Sequence, residues 1–236
     1  MHLALRFTLL LWVLSALHPL ALAAPAFEDS MAQRTLACTA CHGDQGRAGP
    51  DGYYPRLAGK PAGYLYNQLQ NFRAGRRHYP LMLGLLDNLD DAYVQALATH
   101  FSSLSVPYPA PKPSAANAAL LEQGRVLVTQ GRAEAGLPAC VQCHDKALMG
   151  VNPAIPGLLG LPADYLNAQL GGWQTGQRRA AAPDCMAKIA KMLSGSDINA
   201  VAQWLSSQTA PANAHPADKK PELGSATIAI TCGSAP

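Results

Sequence analysis

Cys38-Thr39-Ala40-Cys41-His42 and, about a hundred residues further on, Cys140-Val141-Gln142-Cys143-His144 are the two stretches that decide how this chain is read. Both are C-x-x-C-H. Two cysteines three apart can each form a thioether to one vinyl group of a porphyrin, and the adjacent histidine then lies under the iron with a ring nitrogen to offer. With 6 Cys and 7 His in 236 residues, chance supplies roughly 0.005 such motifs. A structural zinc site would want four ligands, and neither half offers a second matching pair. A thioredoxin-like C-x-x-C would need a βαβ pattern around it, and none is present. The expectation is two covalent haem c groups, attached through Cys38, Cys41, Cys140 and Cys143, with His42 and His144 as iron ligands.

The halves around these motifs align. Pro55-Arg56-Leu57-Ala58-Gly59 matches Pro156-Gly157-Leu158-Leu159-Gly160, and Gly63-Tyr64-Leu65-Tyr66-Asn67-Gln68-Leu69 matches Asp164-Tyr165-Leu166-Asn167-Ala168-Gln169-Leu170. Phe72 to Gly75 matches Trp173 to Gly176, and Arg77 falls opposite Arg178. A repeat of about a hundred residues means duplicated domains, because solenoid units are far shorter. After a three-residue shift the last helices also align: Val94, Leu97, Ala98 and Phe101 stand at i, i+3, i+4, i+7, as do Ile198, Val201, Ala202 and Leu205. Asp90 and Ser194 are their capping candidates, and these helices are expected to pack on the helix preceding each C-x-x-C-H.

The repeat also selects the sixth iron ligands. Met82 stands seven residues before Leu89 and Met186 seven before Leu193, and no other methionines superpose. Both are expected on irregular segments after the Tyr-Leu helix, able to return to the opposite haem face. A thioether there raises the reduction potential, as suits an electron carrier. Met149 is too near His144, Met192 reads as packing, and Met31 precedes the first motif. The rivals are His78, which would give a bis-histidine site, and Cys185, whose thiolate would also lower the potential.

Paired C-x-x-C-H modules, each followed by a Pro-x-Leu-x-Gly segment, a Tyr-Leu helix, a Gly-x-Arg turn and a methionine, resemble the dihaem cytochromes c4 over about residues 27 to 207. The resemblance implies an all-α fold of two tandem class I cytochrome c domains, each a small helical fold around a covalently attached haem. It implies that the carbonyls of Pro55 and Pro156 hold the proximal histidine rings, and that Arg77 and Arg178 lie near the haem propionates. This chain departs from the family in places. The family's Leu-Ala-Gly-Gln reads Leu57-Ala58-Gly59-Lys60 and Leu158-Leu159-Gly160-Leu161, and Asp145-Lys146 follows the second motif where glycine is usual.

Outside the repeat, His2 and Arg6 precede an apolar run from Phe7 to Leu17, and Ala21-Leu22-Ala23 gives a small-x-small cleavage pattern. That run falls short of the roughly 20 apolar residues that span a bilayer. The expected organisation is a signal peptide over 1–23, a first cytochrome domain over 24–106, a proline-rich stiff linker over 107–116, a second domain over 117–208, and a tail over 209–236. Export places Cys185 and Cys232 in an oxidising compartment, where a leftover pair favours a disulfide over two thiols on a disordered tail.

A formal charge of +3 without basic runs gives no reason to invoke nucleic acid. The expected function is a periplasmic electron carrier with redox proteins as partners and no enzyme activity of its own. By resemblance it would deliver electrons to a membrane-bound terminal oxidase through peripheral docking, without a membrane span in the mature chain. The alternative is the cytochrome subunit of a periplasmic sulfide or alcohol dehydrogenase, or a dihaem enzyme that oxidises thiosulfate with a cysteine iron ligand; Cys185 would then be that cysteine.

Overall fold

The computed structural model describes residues 28–49, 52–111, 113–211, 214–218 and 230–235. The expected signal peptide lies outside the described residues, as do residues 219–229 of the tail. In the first half run α1 (Met31–His42), α2 (Ala62–Arg73), α3 (Pro80–Leu86) and α4 (Asp91–Ser103). The second half holds α5 (Ala118–Thr129), α6 (Val141–His144), α7 (Ala163–Thr175), α8 (Cys185–Lys191) and α9 (Gly195–Ser206). Among the described residues the strands are one small antiparallel pair, β1 (Gly150–Val151) and β2 (Ile155–Pro156).

The helices begin where side-chain oxygens can satisfy orphan backbone N–H groups. Asp90 accepts from the Tyr93 N–H at 2.7 Å, opening α4. Ser194 opens α9 in a reciprocal arrangement: it accepts from the Asp197 N–H at 3.0 Å while Asp197 accepts from the Ser194 N–H at 2.9 Å. The i, i+3, i+4, i+7 residues read from the sequence are all buried, Val94, Leu97, Ala98 and Phe101 on α4 and Ile198, Val201, Ala202 and Leu205 on α9. In the first half α4 packs on α2 and α1 around Leu65, Ala98 and Phe101. In the second half α9 packs on α5 and α7 around a larger cluster that includes Val128, Leu137, Val201 and Leu205. The α5–α9 crossing is close enough that a Cβ on Gly124 would lie 2.1 Å from the Ala200 carbonyl oxygen.

The two C-x-x-C-H motifs are built differently. Cys38 to His42 form the last turn of α1. Val141 to His144 form the separate single turn α6 with Cys140 as its N-cap, and α5 has already ended at Thr129. Gly131 causes the break: it takes φ +73°, and its Cα sits so close to the chain that a Cβ would meet the Leu137 oxygen at 2.4 Å. After the motif the chain turns through positive φ in both halves, at Gly43 (φ 75°) and at Asp145 (φ 69°). Asp tolerates that region better than most residues because its short side chain can bond locally, and Asp145 Oδ2 accepts from the Ala147 N–H at 3.0 Å.

Beyond α4, Arg56 holds the start of the connecting segment. Its guanidinium donates to the carbonyls of Val106 and Pro107 and lies 4.0 Å over the Tyr108 ring. In the tail, Ala217 bridges Val151 in parallel, exchanging hydrogen bonds with Gly150 and Asn152 at 2.9 and 2.8 Å. Among the described residues no helix is long and apolar enough to cross a membrane.

Candidate functional site

Each histidine of the two motifs is turned by the proline that follows it. His42 Nδ1 lies 2.7 Å from the Pro55 carbonyl oxygen, and His144 Nδ1 lies 2.7 Å from that of Pro156. A carbonyl can only accept, so the proton sits on Nδ1 and Nε2 keeps its lone pair, the form that binds a metal. Burial pushes both rings below the ordinary histidine pKa; the proline hydrogen bonds act the other way, while Arg77 adds to the fall at His42 and Lys60 at His144. Both rings are therefore neutral at neutral pH. Burial also pushes the Cys140 thiol up to about 12 and raises that of Cys38.

These side chains face one cavity of about 1060 Å³ that runs across both halves. Cys38, Cys41, His42, Pro55, Arg77 and Met82 line it from the first domain. Cys140, Cys143, His144, Pro156, Arg178 and Met186 line it from the second. Its walls are mostly apolar, as a porphyrin face requires, and three donors on the wall suit its carboxylates. Arg77 and Arg178 form no ion pair among the described residues. The Arg178 guanidinium lies 3.8 Å over the centre of the Trp173 ring, whose buried indole nitrogen has no hydrogen-bond partner. Paired thiols, a histidine whose Nε2 keeps its lone pair, an apolar cleft and an arginine held by neutral acceptors without a carboxylate partner among the described residues fit haem c in each half.

The methionine segments differ from expectation. Met82 and Met186 were expected on irregular chain, but they stand within the short helices α3 and α8. Pro80 at the first helical turn has no N–H to lose and a preset φ, and Asp184 caps α8 by accepting from the Ala187 N–H at 3.0 Å. His78 is exposed at the cavity rim. Met149 is buried in the core of the second domain, and Met192 packs against that core. Cys185 is bonded to Cys232, with Cα atoms 4.9 Å apart, and Ile230, Cys232 and Ser234 bring the tail onto the cavity wall.

Two features of the site escaped the sequence reading. Gln68 and Gln169 each accept from both arginines, Gln68 at 3.0 Å from Arg77 and 3.0 Å from Arg178, Gln169 at 3.1 and 2.5 Å. Their signal was present, since the two glutamines superpose in the repeat on a helix face otherwise apolar. Lys60, a departure from the repeat, is buried and donates across the domain boundary to the Gly157 carbonyl at 2.7 Å; no local pattern announces such a contact.

Fold and site together define a c-type cytochrome that holds two haems. No family model matches the chain. It is 40% identical to a thiosulfate dehydrogenase electron acceptor of Thiomonas intermedia, over 79% of this chain and 85% of that protein. It is 34% identical to cytochrome c4 of Azotobacter vinelandii, over 73% and 84% of the respective chains. The crystal structure of reduced recombinant cytochrome c4 from Pseudomonas stutzeri superposes with a TM-score of 0.65 at 32% identity, covering 75% of this chain and 95% of that one. The chain belongs to the cytochrome c4 family, and it is a dihaem electron carrier of that kind.

Proposed function

We propose that this protein is a periplasmic carrier that accepts electrons from a thiosulfate-oxidising dehydrogenase and passes them to a membrane-bound terminal oxidase by surface docking. The observation that carries this reading is the bond between Cys185 and Cys232. A thiosulfate-oxidising enzyme of this type would need a cysteine thiolate on iron, and a sulfur held in a disulfide has none to give. The Thiomonas relative, whose name is that of an electron acceptor, supports a dehydrogenase as donor. The leader sequence supports export, with cleavage after Ala23 and domains over 24–106 and 117–208 joined by 107–116.

In this reading Cys38, Cys41, Cys140 and Cys143 hold the two groups covalently. Bound haem supplies the chemistry, one electron per iron. His42 and His144 would each offer Nε2 to an iron, kept in the right tautomer by the Pro55 and Pro156 carbonyls. Met82 and Met186, which line the same cavity, would supply a thioether sulfur to each iron, a ligand that favours a high potential. Arg77 and Arg178 face the propionates, and Gln68 and Gln169 hold those arginines in place.

Mixing holoprotein with thiosulfate, with and without a thiosulfate dehydrogenase, tests the proposal by haem absorption. Both haems are expected to reduce only when the dehydrogenase is present. Reduction by thiosulfate alone would make the chain an enzyme, and oxidised haems in the complete mixture would remove the dehydrogenase as donor.

A further inference from the structure

We infer that Lys60, a first-domain residue, sets the potential of the haem bound in the second domain; this rests on His144 being the proximal ligand of that haem. The Lys60 side chain leaves the Gly59–Lys60 turn and crosses the domain boundary, where its Nζ donates to the Gly157 carbonyl at 2.7 Å. Gly157 directly follows Pro156, whose carbonyl orients the His144 ring. The ammonium is thus anchored one residue from the group that fixes the proximal imidazole, and it lines the same cavity.

The charge is not cancelled locally. Lys60 forms no ion pair among the described residues, and it is 3% exposed. A cation screened neither by water nor by a carboxylate acts at long range. Its influence reaches the His144 ring, where it helps lower the imidazole pKa. Burial, with Arg56 adding, brings the Lys60 pKa itself to about 7, so the side chain is an ammonium in mildly acidic solution. A fixed positive charge disfavours the ferric ion over the ferrous one and raises the potential of the nearby couple.

The duplicated fold makes the effect one-sided. The residue that superposes on Lys60 in the second domain is Leu161, buried and uncharged. The second domain therefore returns no equivalent cation to the first. Lys60 is a charge-bearing positioning residue that distinguishes two otherwise similar sites, biasing the electron toward the second haem.

The test is a redox titration of holoprotein at about pH 6, below the Lys60 pKa. Lys60→Gln keeps a hydrogen-bond donor but removes the charge, and it restores the residue found in the family's Leu-Ala-Gly-Gln segment. Lys60→Arg keeps the charge. Each is combined with Met82→His or with Met186→His, which moves one haem to low potential and leaves the other to be read alone. Lys60→Gln is expected to lower the midpoint of the second haem and to move the first less, while Lys60→Arg stays close to the parent. An unchanged second midpoint, an equal fall in both, or a fall in Lys60→Gln matched by Lys60→Arg would overturn the inference while leaving the site assignment standing. A parent protein with fewer than two bound haems, or without the sulfur-to-iron absorption band, would overturn the site assignment and the inference with it.

Discussion

Arg77 and Arg178 pair backbone to backbone across the domain boundary as an antiparallel bridge. Each guanidinium also reaches the glutamine of the other domain, Arg77 to Gln169 and Arg178 to Gln68, while keeping the one in its own. The duplication thus meets itself at these four residues. Two like charges are held side by side here without a carboxylate, and burial followed by Arg178 lowers the Arg77 pKa. Such an arrangement is stable only if neutral acceptors and nearby anions share the charge, and both guanidiniums line the haem cavity.

Replacing Gln68 by Leu removes one acceptor from each arginine and leaves buried donors unpaired. A loss of about 1–3 kcal/mol is expected, read from urea unfolding of the holoprotein. The Gln68→Leu/Gln169→Leu pair should be non-additive, since both residues serve the same two donors. Additive losses would mean that the two halves of the cross act independently.

The close crossing of α5 and α9 gives a second expectation. Gly124→Ala places a methyl group where the Ala200 carbonyl now sits, at 2.1 Å in the present backbone. The helices must separate, and overpacking of this kind costs about 1–3 kcal/mol. Gly84→Ala, on the open face of α3 where a Cβ meets nothing within 4 Å, should be neutral or slightly stabilising. Thermal unfolding of both holoproteins separates the cases; equal melting temperatures would contradict the packing argument.

What the sequence discloses depends on how far apart the interacting residues lie. The C-x-x-C-H motifs, the caps at Asp90 and Ser194 and the apolar stripes of α4 and α9 involve residues within about two helical turns of one another, so spacing alone exposes them. The helical form of the Met82 and Met186 segments was missed although Pro80 and Asp184 both signal a helix start; short helices carry little periodicity to confirm such a signal. Lys60 on Gly157, Gly124 on Ala200 and the arginine–glutamine cross join residues far apart in the chain. Nothing in the local pattern of Lys60 separates a buried, bonded ammonium from a solvated one.

The disulfide closes a loop between residues 47 apart in sequence. In the chain-entropy account, a loop of that length stabilises the folded state by about 4 kcal/mol. Beyond the bond, the tail is held by Asn67 Nδ2, which donates to the Ser234 carbonyl at 2.8 Å, and by the Gly233 N–H, which donates to Pro183 at 2.8 Å. Cys232→Ser is therefore expected to lower the denaturant midpoint substantially and to expose the tail to limited proteolysis. An unchanged midpoint, with the tail still protected, would show that the other contacts suffice.

Asp197 gives the clearest dependence on acidity. Burial alone would raise its pKa, but hydrogen bonds from the Ser194 N–H, Arg132, Gln123 and the Ser194 hydroxyl outweigh burial and hold it at about 2, below the ordinary 3.8. Arg132 and Gln123 each approach at 2.9 Å. A carboxyl with a depressed folded pKa binds fewer protons in the folded than in the unfolded state, so its contribution is complete above the unfolded value and is lost as the pH falls through the folded one. At neutral pH Asp197→Asn should be about 2 kcal/mol less stable than the parent, because it loses a charge-assisted pair and weakens the cap of α9. That gap should begin to close near pH 3.8 and shrink toward pH 2. Urea unfolding of both proteins across that range checks the sign, and a gap that stays constant as the acid titrates would show that Asp197 acts through shape and not through its charge.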